Sequence, residues 1–244
     1  MKKFKIKKIK GMDGTTAKRV IEIIKKKLPP GGQILVLSLT GSRAFGWANE
    51  HYDYDIHGIF AAKNYWDYVH GGEEEFDINI WELSHLWSDI YYQHFEFFMN
   101  ISNPFFIHQK FDYKRLMRFC KIEAVKQKRP DILRQIQEFE ITKLPRAALH
   151  AYRILMVPIY FLKRKKFELN VFKINKIYKF KQLEKLKIAY LQGGEDWNEK
   201  EVKRDLNYLL KEYDRLCQKK KEEKLDIKEA EKWLEKMKKK FYRA

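Results

Sequence analysis

Cysteine is nearly absent from this chain. Cys120 and Cys217 are the only two among 244 residues. They are too few and too far apart for a disulfide framework or a cysteine metal site. Long hydrophobic runs are missing as well, since no stretch approaches the roughly 20 apolar residues that cross a bilayer. The first ten residues carry six lysines, and no apolar segment follows them. A secretory leader needs such a segment after its basic start, so none is expected. Internal repeats and low-complexity linkers are also lacking. With a mean hydropathy of -0.61 and 34% charged residues, a soluble, cytoplasmic protein without a membrane partner is expected. The 45% apolar content still suffices for a buried core.

Basic residues are scarce in one stretch only. The net charge is +18, yet residues 1–109 hold 13 basic and 13 acidic side chains. All of the excess therefore lies beyond them. Between residues 28 and 109 only Arg43 and Lys63 oppose 11 acids. An acidic segment holds cations, and a basic neighbour holds phosphates. The alternative is a lysine- and glutamate-rich surface that serves stability at high temperature.

The chain opens with a basic stretch, 1–10, read as a short strand or tail. Thr15 or Thr16 is the expected cap of a helix over 17–27, stopped by Leu28-Pro29-Pro30-Gly31-Gly32. Residues 34–39 read as a buried strand. The alternation in 53–60 and 75–82 predicts two more strands, with Gly71-Gly72 as a turn between them. Ser84 is the expected cap of one long aromatic helix through Met99, ended by Ser102-Asn103-Pro104. Beyond about residue 110, helical patterns fill 112–127, 131–138, 143–166, 176–191, 199–218 and 226–241. The expected fold is α+β: a mixed sheet with flanking helices over 1–110, then a helical domain over 111–244.

Chemistry concentrates in LTGSRAFGWANEHYDYDIHGIF, residues 39–60. A buried strand ends in Gly41-Ser42, and Asp53 and Asp55 follow 11 and 13 residues after Ser42. On a strand, residues i and i+2 share a face, so both aspartates project together. Adjacent carboxylates repel one another and are stabilised by a cation between them. Mg²⁺ prefers oxygen ligands and keeps room for substrate phosphates. Gly41 lets a phosphate approach the backbone, and Ser42 and Arg43 add donors. Asp77 is the expected third carboxylate on a neighbouring strand, with Glu75 as the fallback. Taken singly, a Gly-Ser or an Asp-x-Asp equally describes a polar surface.

Gly-Ser, then Asp-x-Asp about ten residues on, then a third acid on a later strand, resembles the DNA polymerase beta-type nucleotidyltransferases. The longer string GSRAFG…YDYDIHGIF is similar to a family of predicted bacterial and archaeal nucleotidyltransferases with a GSRAYG-like start and an SDYDIRG-like second strand. The resemblance covers residues 40–60. It continues weakly through 102–104 and the helix around His150 and Arg153. Tyr52 stands where that family has serine, and His57 where arginine is common; neither position bears a metal ligand in the pattern. The resemblance implies that Asp53, Asp55 and Asp77 bind Mg²⁺ or Mn²⁺ and carry catalysis. It implies that Gly41 and Ser42 hold the triphosphate of a nucleotide such as ATP. A nucleoside monophosphate would pass to an acceptor hydroxyl on RNA, a protein or a small molecule, and pyrophosphate would leave.

Other features have two readings. Arg146, His150 and Arg153 share one helix face at i, i+4 and i+7. They are read as nucleotide or acceptor contacts, with Arg43 in the same role, or as a solvated basic face. The aromatic residues of 81–106 fit core packing, which leaves Trp47 as the stacking candidate. The lysine clusters at 163–166, 219–221 and 238–240 fit solvated helix ends or a nucleic-acid backbone. A nucleic-acid-binding or antitoxin-like regulatory protein on the same fold is the alternative to an enzyme.

Overall fold

In the computed structural model, residues 11–49, 51–63, 68–71, 75–194 and 196–242 are described. The basic stretch 1–10 and Gly72 of the expected turn lie outside them. The described residues form two compact units from non-consecutive parts of the chain. One unit takes the described residues within 1–44, 51–121 and 224–244; the other takes those within 45–50 and 122–223.

The first unit is built on a five-stranded mixed sheet. Helix α1 (Gly14–Lys27) precedes β1 (Gln33–Leu39), and the short α2 (Gly41–Phe45) follows it. Then come β2 (Tyr54–Ala61), β3 (Tyr68–His70), β4 (Phe76–Glu82), α3 (Leu86–Tyr91), α4 (Phe95–Asn100), β5 (Pro104–Ile107) and α5 (Tyr113–Arg118). The spatial order is β3-β4-β2-β1-β5, with β2 and β4 parallel and the other pairs antiparallel. Strand β1, paired on both sides, is buried on both faces, as its mostly apolar sequence requires. One sheet face packs Ile56, Phe60, Ile78 and Ile80 into a core with Val20, Ile21 and Ile24 of α1. Strand alternation turns Asp55, His57, Asp77 and Asn79 the other way.

Several local expectations are corrected, among them the helical stretches over 112–127 and 176–191, each of which is broken, after Arg118 and after Tyr178. Asp13, rather than Thr15 or Thr16, caps α1, because its carboxylate accepts from both threonine N–H groups at 2.7 and 2.9 Å. Glu82, rather than Ser84, caps the turn that precedes α3, accepting from the Ser84 N–H. The single aromatic helix through Met99 is two helices, broken where Gln93 takes a left-handed backbone at φ 55°. The Gln93 amide donates to the Ile90 and Phe119 carbonyls and accepts from the Lys121 N–H, which holds the break.

The second unit contains α6 (Ile122–Lys126), α7 (Arg129–Thr142), α8 (Pro145–Arg164), α9 (Val171–Tyr178), α10 (Lys181–Gln192) and α11 (Glu199–Lys219). Helix α8 is the hub, packed by α7, α9, α10 and α11. Within that core the Tyr152 hydroxyl donates to Asp205 at 2.8 Å. The last helix, α12 (Ile227–Phe241), belongs to the sheet unit. Its Trp233 packs edge-on against Phe111 and Phe119, and the Tyr242 hydroxyl donates to buried Glu82. Among the described residues, no helix is long and apolar enough to cross a membrane.

Candidate active site

The parallel pairing of β2 and β4 sets Asp55 directly across from Asp77, and His57 across from Asn79. Asp53 immediately precedes β2. The backbone that positions Asp55 is tied to the end of β1: the Thr40 N–H donates to the Asp55 carbonyl at 2.8 Å. Asn103 exchanges hydrogen bonds with Leu39, donating from its side chain to the Leu39 carbonyl at 3.1 Å. The Ser-Asn-Pro segment thereby anchors the strand end that leads into Gly41.

Gly41 is closest to the acids. Its φ is +60°, and a Cβ placed there would lie 1.7 Å from the Asp55 Oδ2. The Asp55 carboxylate occupies the space that any side chain at position 41 would need. Burial raises the Asp55 pKa above its ordinary value, and the charges of Asp77 and Asp53 raise it further. Asp77 is exposed and accepts from the Asn79 side chain at 3.1 Å. His70 Nδ1 lies 2.6 Å from the Asn79 carbonyl oxygen, which orients the amide toward Asp77. Glu75, the fallback, pairs with Arg19 at 3.0 Å.

His57 continues the acidic face. Burial lowers its pKa to about 4 despite the nearby Asp77, so it is neutral at physiological pH. Its Nδ1 is buried without a hydrogen-bond partner, and its ring lies 5.3 Å from that of Trp81. Asn79, visible in the sequence only as part of an alternating polar face, emerges as the support of Asp77.

Arg43 braces the backbone ahead of β2. Its guanidinium donates to the Tyr52 carbonyl and lies 3.8 Å over the Tyr54 ring. It fixes the segment that delivers Asp53 to the sheet. His150 and Arg153 lie in the helical unit. Arg153 stacks 4.7 Å over Phe45, and the His150 ring meets Trp47 edge-on at 5.5 Å. Trp47 is only 2% exposed, which removes it as an accessible stacking platform. Nearby, Gly46 at φ +96° brings the backbone against the Asn170 amide, leaving no room for a side chain.

Among the described residues, no group of three or more His, Cys, Asp or Glu side chains is gathered so as to hold a metal ion. Asp53, Asp55 and Asp77 are among those residues, so the expected triad is not gathered about one point, although its all-oxygen donor chemistry is the kind a hard divalent cation takes. Comparison with protein-family models gives no match for the chain, and comparison with curated proteins gives none either. The class established by the fold is therefore α+β, with a mixed five-stranded sheet flanked by helices.

Proposed function

We propose that the acidic face beside Gly41 is the active site of a metal-dependent nucleotidyltransferase. The observation that carries this reading is the packing of the Asp55 carboxylate against Gly41, with Asp53 and Asp77 both acting on its charge. A fold gains no stability by burying one carboxylate among others, so the arrangement fits a site that takes cations.

Asp53, Asp55 and Asp77 would hold Mg²⁺ or Mn²⁺, which when bound would neutralise phosphate charge and make an acceptor hydroxyl easier to deprotonate. Gly41 and Ser42 would receive the triphosphate, with the Ser42 hydroxyl as one donor. Asn79 holds Asp77 in place by donating to one carboxylate oxygen. Arg43 secures the approach to β2 and counters part of the charge at Asp55. In the reaction, an acceptor oxygen bonds to the α-phosphorus, the bond from that phosphorus to its bridging oxygen breaks, and pyrophosphate leaves. The hydroxyl proton passes to solvent.

The test is to incubate the protein with each labelled nucleoside triphosphate, Mg²⁺ or Mn²⁺ and total RNA, beside an Asp53→Asn/Asp55→Asn variant. Label reaching RNA or the protein itself only with intact aspartates supports the proposal. Absence of both transfer and metal-dependent nucleotide binding by the intact protein overturns it.

A further inference from the structure

One face of α11 presents a charge pattern that no lysine run in the sequence announces. Lys200, Arg204, Asn207, Tyr208 and Lys211 recur at helical spacing and are all exposed. With Lys203 they line a shallow groove of about 540 Å³. From residue 200 to 211 the stripe extends about 16 Å at 1.5 Å per residue. It contains no acid. The acids of the same stretch, Glu201 and Asp205, point round the helix, where Asp205 is buried against Tyr152. Arg204 approaches Asp205 only at 3.9 Å, and Lys203 is committed to Glu199 at 2.7 Å.

Beside these cations stands an aromatic corner. Tyr178 and Phe180 stack nearly parallel, with centroids 5.4 Å apart and planes inclined by 5°. Tyr208 meets both edge-on, at 6.4 and 6.2 Å. Tyr208 is nevertheless 55% exposed. Packing on one side fixes the ring while its remaining surface stays open to solvent.

We propose that this face binds single-stranded nucleic acid, with Lys200, Arg204 and Lys211 following the phosphates and Tyr208 stacking a base. Cations in a row attract any polyanion, but an exposed, pre-fixed aromatic ring among them adds a surface for unpaired bases that a duplex does not offer. The proposal is independent of nucleotidyl transfer, because every residue in it belongs to the helical unit and none to the acidic site.

The test is fluorescence anisotropy with labelled single-stranded RNA and DNA of about 16 nucleotides, the corresponding duplexes, heparin and poly-glutamate. Three proteins are compared with wild type: Lys200→Gln/Arg204→Gln/Lys211→Gln, Tyr208→Ala, and Asp53→Asn/Asp55→Asn. Thermal melts confirm that each is folded. The expected result is single-strand binding that the triple variant weakens at least about tenfold, with a salt slope lowered by about one for each phosphate contact removed. Tyr208→Ala should weaken single-strand binding at least about fivefold while leaving heparin binding unchanged. The aspartate variant should bind as wild type does, which separates this proposal from the fate of the transferase reading; a tighter RNA than DNA complex, or the reverse, identifies the natural strand. Single-strand binding no tighter than duplex, heparin or poly-glutamate binding overturns the proposal. So does binding indifferent to Tyr208→Ala or to the triple substitution.

Discussion

At Gly41 the backbone is left-handed and the Asp55 carboxylate fills the space of a missing side chain. Gly41→Ala must therefore displace Asp55 or distort the turn, at a cost of about 1–3 kcal/mol. We expect a matching drop in stability in urea melts and loss of any Mg²⁺-dependent rise in Tm; a variant that keeps both stability and metal response would contradict the geometry. Asp55 supports a second prediction. Burial first, then Asp77 and Asp53, raise its pKa. A carboxyl with a raised folded pKa binds its proton more tightly in the folded state. Its ionisation therefore costs stability as pH rises from the ordinary aspartate value through the raised one. Asp55→Asn removes that cost, so without metal it should melt higher than wild type at neutral pH. The gap should close in acid, where Asp55 is protonated in both states. Equal melting temperatures at neutral pH would show that the carboxylate is not under this strain.

Helix α8 carries Arg146, His150 and Arg153 on one face, as their spacing requires. Burial pushes the His150 pKa down to about 4, and Arg153 and Arg146 add to the fall. A histidine with a depressed folded pKa takes its proton more readily when unfolded. Stability is thus lost as pH drops from 6.5 toward 4, and is complete above that window. His150→Gln should flatten this loss in urea melts across the window, although part remains because His57 titrates in the same sense. A slope unchanged by the substitution would mean that His150 is solvated. Helices and long strands were legible as elements because their periods differ, but short ones were not. Strand β5 has four residues and β3 has three, too few to show alternation. The left-handed turn at Gln93 is held by partners as distant as Phe119, so local pattern joined α3 and α4 into one helix.

Within the sheet unit, α12 returns from the end of the chain to a core formed mostly before residue 121. Trp233 is 5% exposed between Phe111 and Phe119, so Trp233→Ala should cost about 3–5 kcal/mol. The loss would be measured by chemical denaturation, and a cost below about 1 kcal/mol would show that α12 is not integral to that core. Period and charge marked a change near residue 110, but neither carries information about long-range return. By itself the sequence determined the alternating strands and the helical character of the later chain. Those follow from side-chain direction, which repeats every two residues in a strand and every 3.6 in a helix. Only the tertiary structure decided that Asp55 faces Asp77 in register, that Arg43 braces Tyr52 and Tyr54, that Trp47 is buried, and that Tyr208 joins Tyr178 and Phe180 among exposed cations. Each of these depends on contacts between residues distant in the chain, and such contacts leave no period for a sequence to display.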